Sequence, residues 1–248
     1  MLEYMFDYKG VSPQPAPHIT RPELRASAWR EQLPAAHGRI QELQQRMQRM
    51  QGPAVSRTLE SLPGMSGVIR LRTGEAYAVD SPSLATALVA GPSQAGEWIA
   101  FVGIPDLGFE AAAQFGIDLE RTVVVPHPND LWLSVTAGLL DVATVVVVKP
   151  PGSVSAQQAE RLKSRLRMKD ATLVCLGKWP RSDATLTITK SSWLGLGSGH
   201  GRLTARRVEV SVRQGGPVRH VSLWLPGVDQ QIAERDHDVI PLPVAQAG

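Results

Sequence analysis

The chain has 248 residues, of which 43% are apolar and 20% charged, and its formal net charge is +3. This length is enough to bury a full core in one large domain, or in one domain with an arm. No stretch of 18 apolar residues occurs, and the N-terminal residues contain no apolar signal core. We therefore expect a cytoplasmic protein without a membrane-spanning helix. The single cysteine, Cys175, excludes an internal disulfide and a thiolate metal cluster.

The charge is distributed unevenly along the chain. Residues 151–225 contain 13 basic and 4 acidic residues, a balance of +9, whereas residues 53–150 contain 5 basic and 10 acidic residues, a balance of −5. Such asymmetry is typical of a protein that binds a polyanion or an acidic partner on one face. The alternative is a solvated basic surface without a partner.

The first predicted elements are a flexible, proline-rich N-terminus over residues 1–20 and a helical arm over residues 21–52. In the arm, apolar side chains recur at helical spacing at Ile40, Leu43, Met47 and Met50. This narrow stripe favours docking on the protein's own core, and a coiled coil or a partner contact is the alternative. One main domain over residues 53–227 and a flexible C-terminal tail over residues 228–248 complete the prediction.

From residue 67 onward, short apolar runs alternate with helix-length segments. The runs predicted as strands are VIRL, WIAFVG, TVVVP, ATVVVVK and TLVCLG, with a helix after each of the first four. Strands that are apolar throughout are typical of a parallel sheet covered on both faces. After Gly177, three segments predict antiparallel strands: ATLTITKSSW, RLTARRVEVSVRQ and VRHVSLWL. The predicted fold class is α/β, with a mostly parallel central sheet flanked by helices, C-terminal antiparallel strands and an N-terminal helical arm.

The order of several segments resembles the core of the RecA-like superfamily. These segments are LPGMSGVIRL, AGEWIAFVG, AAAQFGIDLERTVVVPHP and ATVVVV, and the resemblance extends over residues 60–225. Within the superfamily, the chain looks closest to the ImuA/SulA-like branch, and particularly to the actinobacterial ImuA-prime mutagenesis proteins, because VRHVSLWLPG follows a basic hairpin. The order and spacing of the segments carry this resemblance.

The resemblance implies a nucleotide site, but the residues that a nucleotide needs are absent. RTGEAYAVDSP stands where the phosphate loop is expected, and it contains the carboxylates Glu75 and Asp80 but no lysine. Lys149 occupies the place of the magnesium-binding aspartate, and residues 103–106 (GIPD) replace the catalytic glutamate. We therefore expect a pseudo-ATPase that has no catalytic residues and binds neither a cofactor nor a metal.

Two further patterns resemble ligand-binding loops but have structural explanations. Asp80 and Ser81 precede Pro82 and predict a helix N-cap with proline in the first turn. A glycine run predicts a hairpin loop rather than a phosphate cradle, since segments of strand character flank it: Gly195, Gly197, Gly199 and Gly201. Its position resembles that of a mobile DNA-binding loop in RecA proteins, so a weak DNA contact is the alternative.

The resemblance also implies a surface for a protein partner. RecA proteins polymerise when a helix and a short strand of one subunit dock on the next, with the strand added to a sheet edge. The corresponding edge is TVVVP, residues 122–126, and an exposed edge of this kind aggregates unless it is covered. The predicted partner-binding residues are Thr122, Val123, Val124 and Val125, with Trp132, Leu133, Thr136 and Leu140 on the following helix, some of which must face the core.

The function implied by the resemblance is that of an adaptor in DNA-damage-induced mutagenesis, associated with the nucleoid after damage. Its partner would be an ImuB-type inactive relative of Y-family polymerases, and through that partner an error-prone C-family polymerase. One alternative is a RecA-paralogue-like mediator that binds DNA weakly and without sequence specificity through Arg202, Arg206, Arg207, Arg213 and Arg219. A SulA-like inhibitor of cell division is the other alternative.

Overall fold

A computed structural model of the chain describes residues 56–196, 201–227 and 232–234. Its centre is a sheet of nine strands in this part of the chain: β1 (Ala76–Val79), β2 (Ile99–Val102), β3 (Thr122–Val125), β4 (Val145–Val148), β5 (Thr172–Leu176), β6 (Ala184–Leu196), β7 (Gly201–Arg213), β8 (Arg219–Trp224) and β9 (Ala233–Glu234). Their order across the sheet is β3-β2-β4-β5-β1-β6-β7-β8-β9. Neighbouring strands are parallel from β3 to β6 and antiparallel from β6 to β9.

Helices cover both faces of the parallel part of the sheet. They are α1 (Pro82–Gln94), α2 (Phe109–Gln114), α3 (Trp132–Leu139) and α4 (Ala156–Lys169). Buried residues of α1 and α2 belong to one core, and those of α3 and α4 belong to a second core on the opposite face. The valines of β4 alternate between the two cores, as the unbroken apolar runs predicted. The predicted α/β fold class, with its parallel strands and C-terminal antiparallel strands, is confirmed.

The helices differ in how they are covered. Helix α4 begins with a capping box, in which the side chains of Ser155 and Gln158 each accept a backbone amide of the other residue. Only one of its faces is buried. Helix α1 is buried on nearly all sides because the segment before β1 packs against it. A Cβ at Gly91 would lie 2.7 Å from backbone atoms of residues 60–62, so only glycine permits this close approach.

The prediction that VIRL, residues 68–71, forms a strand is wrong. Val68, Ile69 and Leu71 are buried in the first core without joining the sheet, and Arg72 forms only an isolated bridge to Thr58. The first strand is AYAV, which lies within the stretch that the sequence predicts as a loop. Its alanines have low strand propensity, whereas VIRL has high propensity. Pairing with β5 and β6 outweighs that preference, because a strand between two neighbours forms hydrogen bonds with the backbone amides and carbonyls on both of its sides.

Strand β9 falls in the stretch predicted as a flexible tail, and it pairs with β8. The N-terminus predicted to be flexible and the arm predicted to be helical lie outside the described residues, as do residues 197–200, 228–231 and 235–248. The domain boundaries therefore stay predictions. None of the helices in the described ranges is long and apolar enough to cross a membrane.

Candidate functional site

The connection from β1 to α1 consists of only two residues, Asp80 and Ser81. This connection stands at the place where the RecA-like resemblance puts a phosphate loop. A phosphate loop needs a run of some eight residues, about the length of the G-x-x-x-x-G-K-[ST] motif, whose backbone amides surround the phosphates. Glu75 precedes β1 and so lies at the opposite, amino edge of the sheet. Of the two carboxylates that the sequence places in this stretch, only that of Asp80 therefore lies beside the β1–α1 connection.

The sequence predicts that Asp80 or Ser81 caps the helix, but neither side chain forms a capping hydrogen bond. Ser81 occupies the N-cap position and Pro82 the first helical position, but the Ser81 hydroxyl lies 2.8 Å from the hydroxyl of Ser83. The Asp80 carboxylate instead accepts the backbone amide of Ile188 on β6, at 3.0 and 3.2 Å to its two oxygens. Asp80 therefore ties the end of β1 to the neighbouring strand.

A cleft of about 780 Å³ opens at the carboxyl edge of the parallel strands. This edge is where open α/β sheets bind their ligands. Ile104, Pro105, Asp106 and Lys149 line it, at the ends of β2 and β4, as their places in the sequence predicted. The two strand ends approach closely at Gly103, whose φ is +74° and whose added Cβ would lie 2.4 Å from the Lys149 carbonyl oxygen.

The β6–β7 hairpin forms the other wall of the cleft. Trp193 and Arg206 are directly opposite each other across the two strands, and the guanidinium carbon of Arg206 lies 5.6 Å from the centre of the Trp193 ring. Arg206 also donates hydrogen bonds to Ser191 and Ser83. Trp193 and Leu203 line the cleft and remain 45% and 44% exposed. The sequence did not indicate that Trp193 and Arg206 are in contact, although residues directly opposite each other on paired strands project from the same face of the sheet.

Strand β3 lies at the edge of the sheet, which confirms the prediction of an outer strand, with Pro126 just beyond its end. Its four residues are all partly exposed, with Val123 and Val124 packed against opposite cores. Of the described strands, only β2 pairs with it. Within the described residues, no strand pairs with the outer side of its backbone, and the binding of a strand from another molecule stays a prediction.

Three of the four helix residues predicted beside this edge face the interior. Trp132, Thr136 and Leu140 are 8%, 0% and 1% exposed and belong to, or lie against, the second core. Their spacing of four residues places them on one face of α3, and that face covers the sheet. Of the four predicted helix residues, only Leu133 is partly exposed. The predicted partner surface is therefore corrected to the β3 edge with Leu133, which packs against the second core.

The five arginines predicted to bind DNA do not form one patch. Val208, Val210 and Val212 on β7 face the core, so Arg207 and Arg213 project from the other face and are exposed. Arg206 projects to the core side beside Trp193. The remaining two differ again: Arg219 donates to the carbonyls of Gly67 and Val68, and the side chain of Arg202 lies outside the described residues.

Four of the 13 basic residues of residues 151–225 form ion pairs within the described part of the chain. Asp141 is bound by Arg165 and Lys169, and these contacts hold the pKa of its carboxyl below the usual value although burial works in the other direction. Lys163 pairs with Asp183 at 2.9 Å, and Lys190 pairs with Glu209 at 3.0 Å. These four side chains are thus held by carboxylates of the same domain and are less available to a polyanion than the sequence suggested.

The pKa values of Cys175 and Tyr77 are raised by burial within the fold. Burial raises the pKa of the Cys175 thiol to about 12, so this strand thiol is inert. Burial and the hydrogen bond to Glu75 raise the pKa of Tyr77, at the amino edge of the sheet. Within the described residues, no group of three or more His, Cys, Asp or Glu side chains could hold a metal ion.

Comparison with known proteins relates the parallel half of the sheet to a known domain. Residues 64–181 match the family model of the MT3502 N-terminal domain, a stretch that contains β1 to β5 and ends before β6. The chain is 37% identical over 99 residues to the uncharacterized protein Rv3395c of Mycobacterium tuberculosis. That stretch covers 39% of the chain and 48% of Rv3395c, so the chain spans about half the length of this relative.

Among solved structures, the crystal structure of SulA from Pseudomonas aeruginosa matches 42% of this chain and 96% of its own chain. The sequence identity is 16% and the TM-score is 0.36.

Proposed function

We propose that the protein is a non-catalytic RecA-like adaptor in DNA-damage-induced mutagenesis. It binds an ImuB-type inactive relative of Y-family polymerases and thereby helps to assemble an error-prone translesion-synthesis complex. The observation that carries the proposal is the outer edge of β3, a strand of three consecutive valines with one strand neighbour in the described part of the chain.

An edge of this kind favours a binding role for physical reasons. Unpaired amides and carbonyls along an apolar strand attract any other strand, so proteins cover, shorten or charge such edges. The residues of β3 carry no charge. A partner strand would satisfy the outward backbone groups of β3.

The surroundings of the cleft support the absence of ATP chemistry. The β1–α1 connection is two residues long, and it contains neither the lysine nor the glycines of a phosphate loop. Lys149 stands where a magnesium ligand is needed, and the loop after β2 places Ile104 and Pro105 where a water-activating carboxylate is needed. A cationic ammonium group repels magnesium, and neither apolar side chain can accept a proton.

The identity of the partner rests on the resemblance to the ImuA/SulA-like branch. The test is a co-precipitation of the purified chain with an ImuB-type polymerase relative from the same organism. The wild-type chain is compared with Val124→Pro, which removes an amide from the β3 edge, and with Val124→Thr, which keeps the amide and the β-branched shape. Binding by the wild type and Val124→Thr but not by Val124→Pro supports the proposal. A wild-type chain that fails to bind, or a folded Val124→Pro that binds fully, contradicts it.

A DNA-binding mediator is the second candidate. The exposed positions of Arg207 and Arg213 on the outer face of β7 favour it, because both side chains lack an ion pair within the described part of the chain. Co-precipitation in which only nucleic acid is recovered would support this candidate over the adaptor.

A further inference from the structure

The cleft at the carboxyl edge of the sheet is a candidate for a second binding site, distinct from the β3 edge. Its volume of about 780 Å³ lies in the range of ligand-binding clefts. Most of its lining is apolar: the segment after β2 contributes Ile104, Pro105, Leu107 and Phe115, and the hairpin contributes Trp193 and Leu203. The half-exposed Trp193 is the type of side chain that most often anchors a protein interface.

Arg206 places a fixed positive charge in this apolar wall. Its Nε donates to the Ser191 hydroxyl at 2.8 Å, and its Nη1 donates to the Ser83 hydroxyl at 3.2 Å. The guanidinium group also lies over the Trp193 ring. All three partners are neutral, and in the described part of the chain no carboxylate lies within ion-pair distance of Arg206. The charge is therefore oriented but not compensated, and the guanidinium group retains N–H groups that these two bonds do not use.

The charged side chains that line the cleft are two basic ones, Lys149 and Arg206, and two acidic ones, Asp80 and Asp106, so that Arg206 is set apart by its position on the apolar wall and not by an excess of positive charge. Lys149, at the end of β4, lines the cleft and has no ion-pair partner among the described residues. Asp80 accepts the Ile188 amide with its carboxylate, and within the described residues neither Asp80 nor Asp106 forms an ion pair with Arg206. A guanidinium group with free N–H groups binds a carboxylate in a bidentate, directional way.

We propose that the cleft binds an acidic and apolar peptide segment of a partner protein. An aspartate or glutamate side chain of the segment pairs with Arg206, and a neighbouring leucine or phenylalanine side chain packs among Trp193, Leu107 and Phe115. A nucleotide fits less well, because the two-residue β1–α1 connection offers no cradle of amides for its phosphates. The site shares no residue with the β3 edge and does not depend on the proposed adaptor function.

The probe is the pentapeptide acetyl-Gly-Asp-Leu-Phe-Gly-amide, and its control is the same peptide with asparagine in place of aspartate. Binding to the full chain is followed by the NMR resonance of the Trp193 indole N–H, which is assigned by its loss in Trp193→Phe. We expect the aspartate peptide to shift this resonance saturably, with a dissociation constant of about 1 mM or lower, and the asparagine peptide to bind about tenfold more weakly.

Variants on adjacent residues of β7 make the test specific. Arg206→Gln should weaken binding of the aspartate peptide about tenfold, whereas Arg207→Gln, on the opposite face of the sheet, should leave it within about twofold. Lys149→Gln provides a second cleft variant if Arg206→Gln melts early. Equal binding of the two peptides, no saturation in the millimolar range, or unchanged binding by both cleft variants overturns the proposal. The proposal is also overturned if AMP or a thymidine oligonucleotide binds saturably through Arg206 and the peptide does not bind.

Discussion

The backbone amide of Gly103, which follows β2, donates a hydrogen bond to the carbonyl of Val125 on β3 at 2.9 Å. In an extended strand, the N–H and C=O groups of one residue point to the same side and successive residues alternate. Val123 and Val125 therefore face β2, and Thr122 and Val124 present their backbone groups to the free edge. On β2, the carbonyl of Val102 accepts the Lys149 amide, as the same alternation requires.

This geometry makes Val124→Pro a specific test of the edge. Proline at this position removes an outward amide and leaves the hydrogen bonds between β2 and β3 intact, which edge strands tolerate. We expect loss of partner binding with a decrease of about 1–2 kcal/mol in the free energy of unfolding, from lost packing of the valine side chain. Binding is measured by co-precipitation and folding by thermal melting. Val123→Pro, which removes an amide directed at β2, should in contrast destabilise the domain strongly.

The short β1–α1 connection predicts that ATP does not bind. Isothermal titration of the chain with ATP and magnesium at millimolar concentrations should show no saturable heat, and phosphate release should not exceed the buffer rate, because neither an amide cradle nor a lysine is present. An active RecA-type ATPase measured in parallel serves as the positive control. A micromolar dissociation constant for ATP would refute this prediction.

The two faces of β7 separate the candidate DNA contacts. Any DNA binding should be weak, independent of sequence and steeply weakened by salt, because each neutralised phosphate releases counterions. The double variant Arg207→Glu with Arg213→Glu should lose binding by more than about tenfold, whereas Arg206→Glu on the other face should retain it. Fluorescence anisotropy with a labelled single strand at several salt concentrations provides the measurement. Equal affinities of the outer-face variant and the wild type would remove this face as a DNA site.

The Arg57–Glu97 pair predicts a dependence of stability on pH. Burial works to raise the pKa of Glu97, but hydrogen bonds from Arg57 at 2.7 Å and from the Thr144 hydroxyl at 2.6 Å outweigh it and hold the pKa below its usual value. A lowered pKa stabilises the folded state above the unfolded pKa, and this contribution is lost as the pH falls through the folded pKa.

Glu97→Gln should therefore reduce the free energy of unfolding at pH 7 by about 1 kcal/mol, and the difference from the wild type should shrink as the pH falls from 7 through the folded pKa of Glu97. Urea denaturation across this pH range measures it. The exposed Glu60→Gln is the matched control and should change stability little at any pH. A difference that stays constant down to pH 3 would show that Glu97 acts through its shape and not through its charge.

Gly103→Ala should destabilise the domain because two costs coincide at this position. The residue has a positive φ, and the new methyl group would overlap the Lys149 carbonyl oxygen. We expect a loss of about 2–4 kcal/mol in urea denaturation. Gly152→Ala, where a Cβ meets no atom within 4 Å, is the control and should change stability by no more than about 0.5 kcal/mol. A neutral Gly103→Ala would mean that the ends of β2 and β4 can separate without cost.

The sequence by itself determined the parts of the fold that depend on apolar patterning. The unbroken runs around Val145–Val148 and Thr172–Leu176 could only be strands covered on both faces, and the edge position of TVVV followed from the resemblance. The absence of a phosphate-loop lysine and the replacement of two acidic positions by Lys149 and Pro105 could also be read without a structure. The buried strands depend on residue type and spacing along the chain alone, whereas the edge position and the replaced nucleotide-site residues depend on the resemblance to RecA-like proteins.

Only the tertiary structure decided which of the similar-looking segments enter the sheet. AYAV became β1 and VIRL did not, because pairing with two neighbours outweighs local propensity. The direction of side chains was decided in the same way: burial separated Trp132 and Thr136 from Leu133, and strand register brought Arg206 to Trp193 and away from Arg207. These relationships depend on contacts between residues distant in the chain, and local sequence carries little information about such contacts.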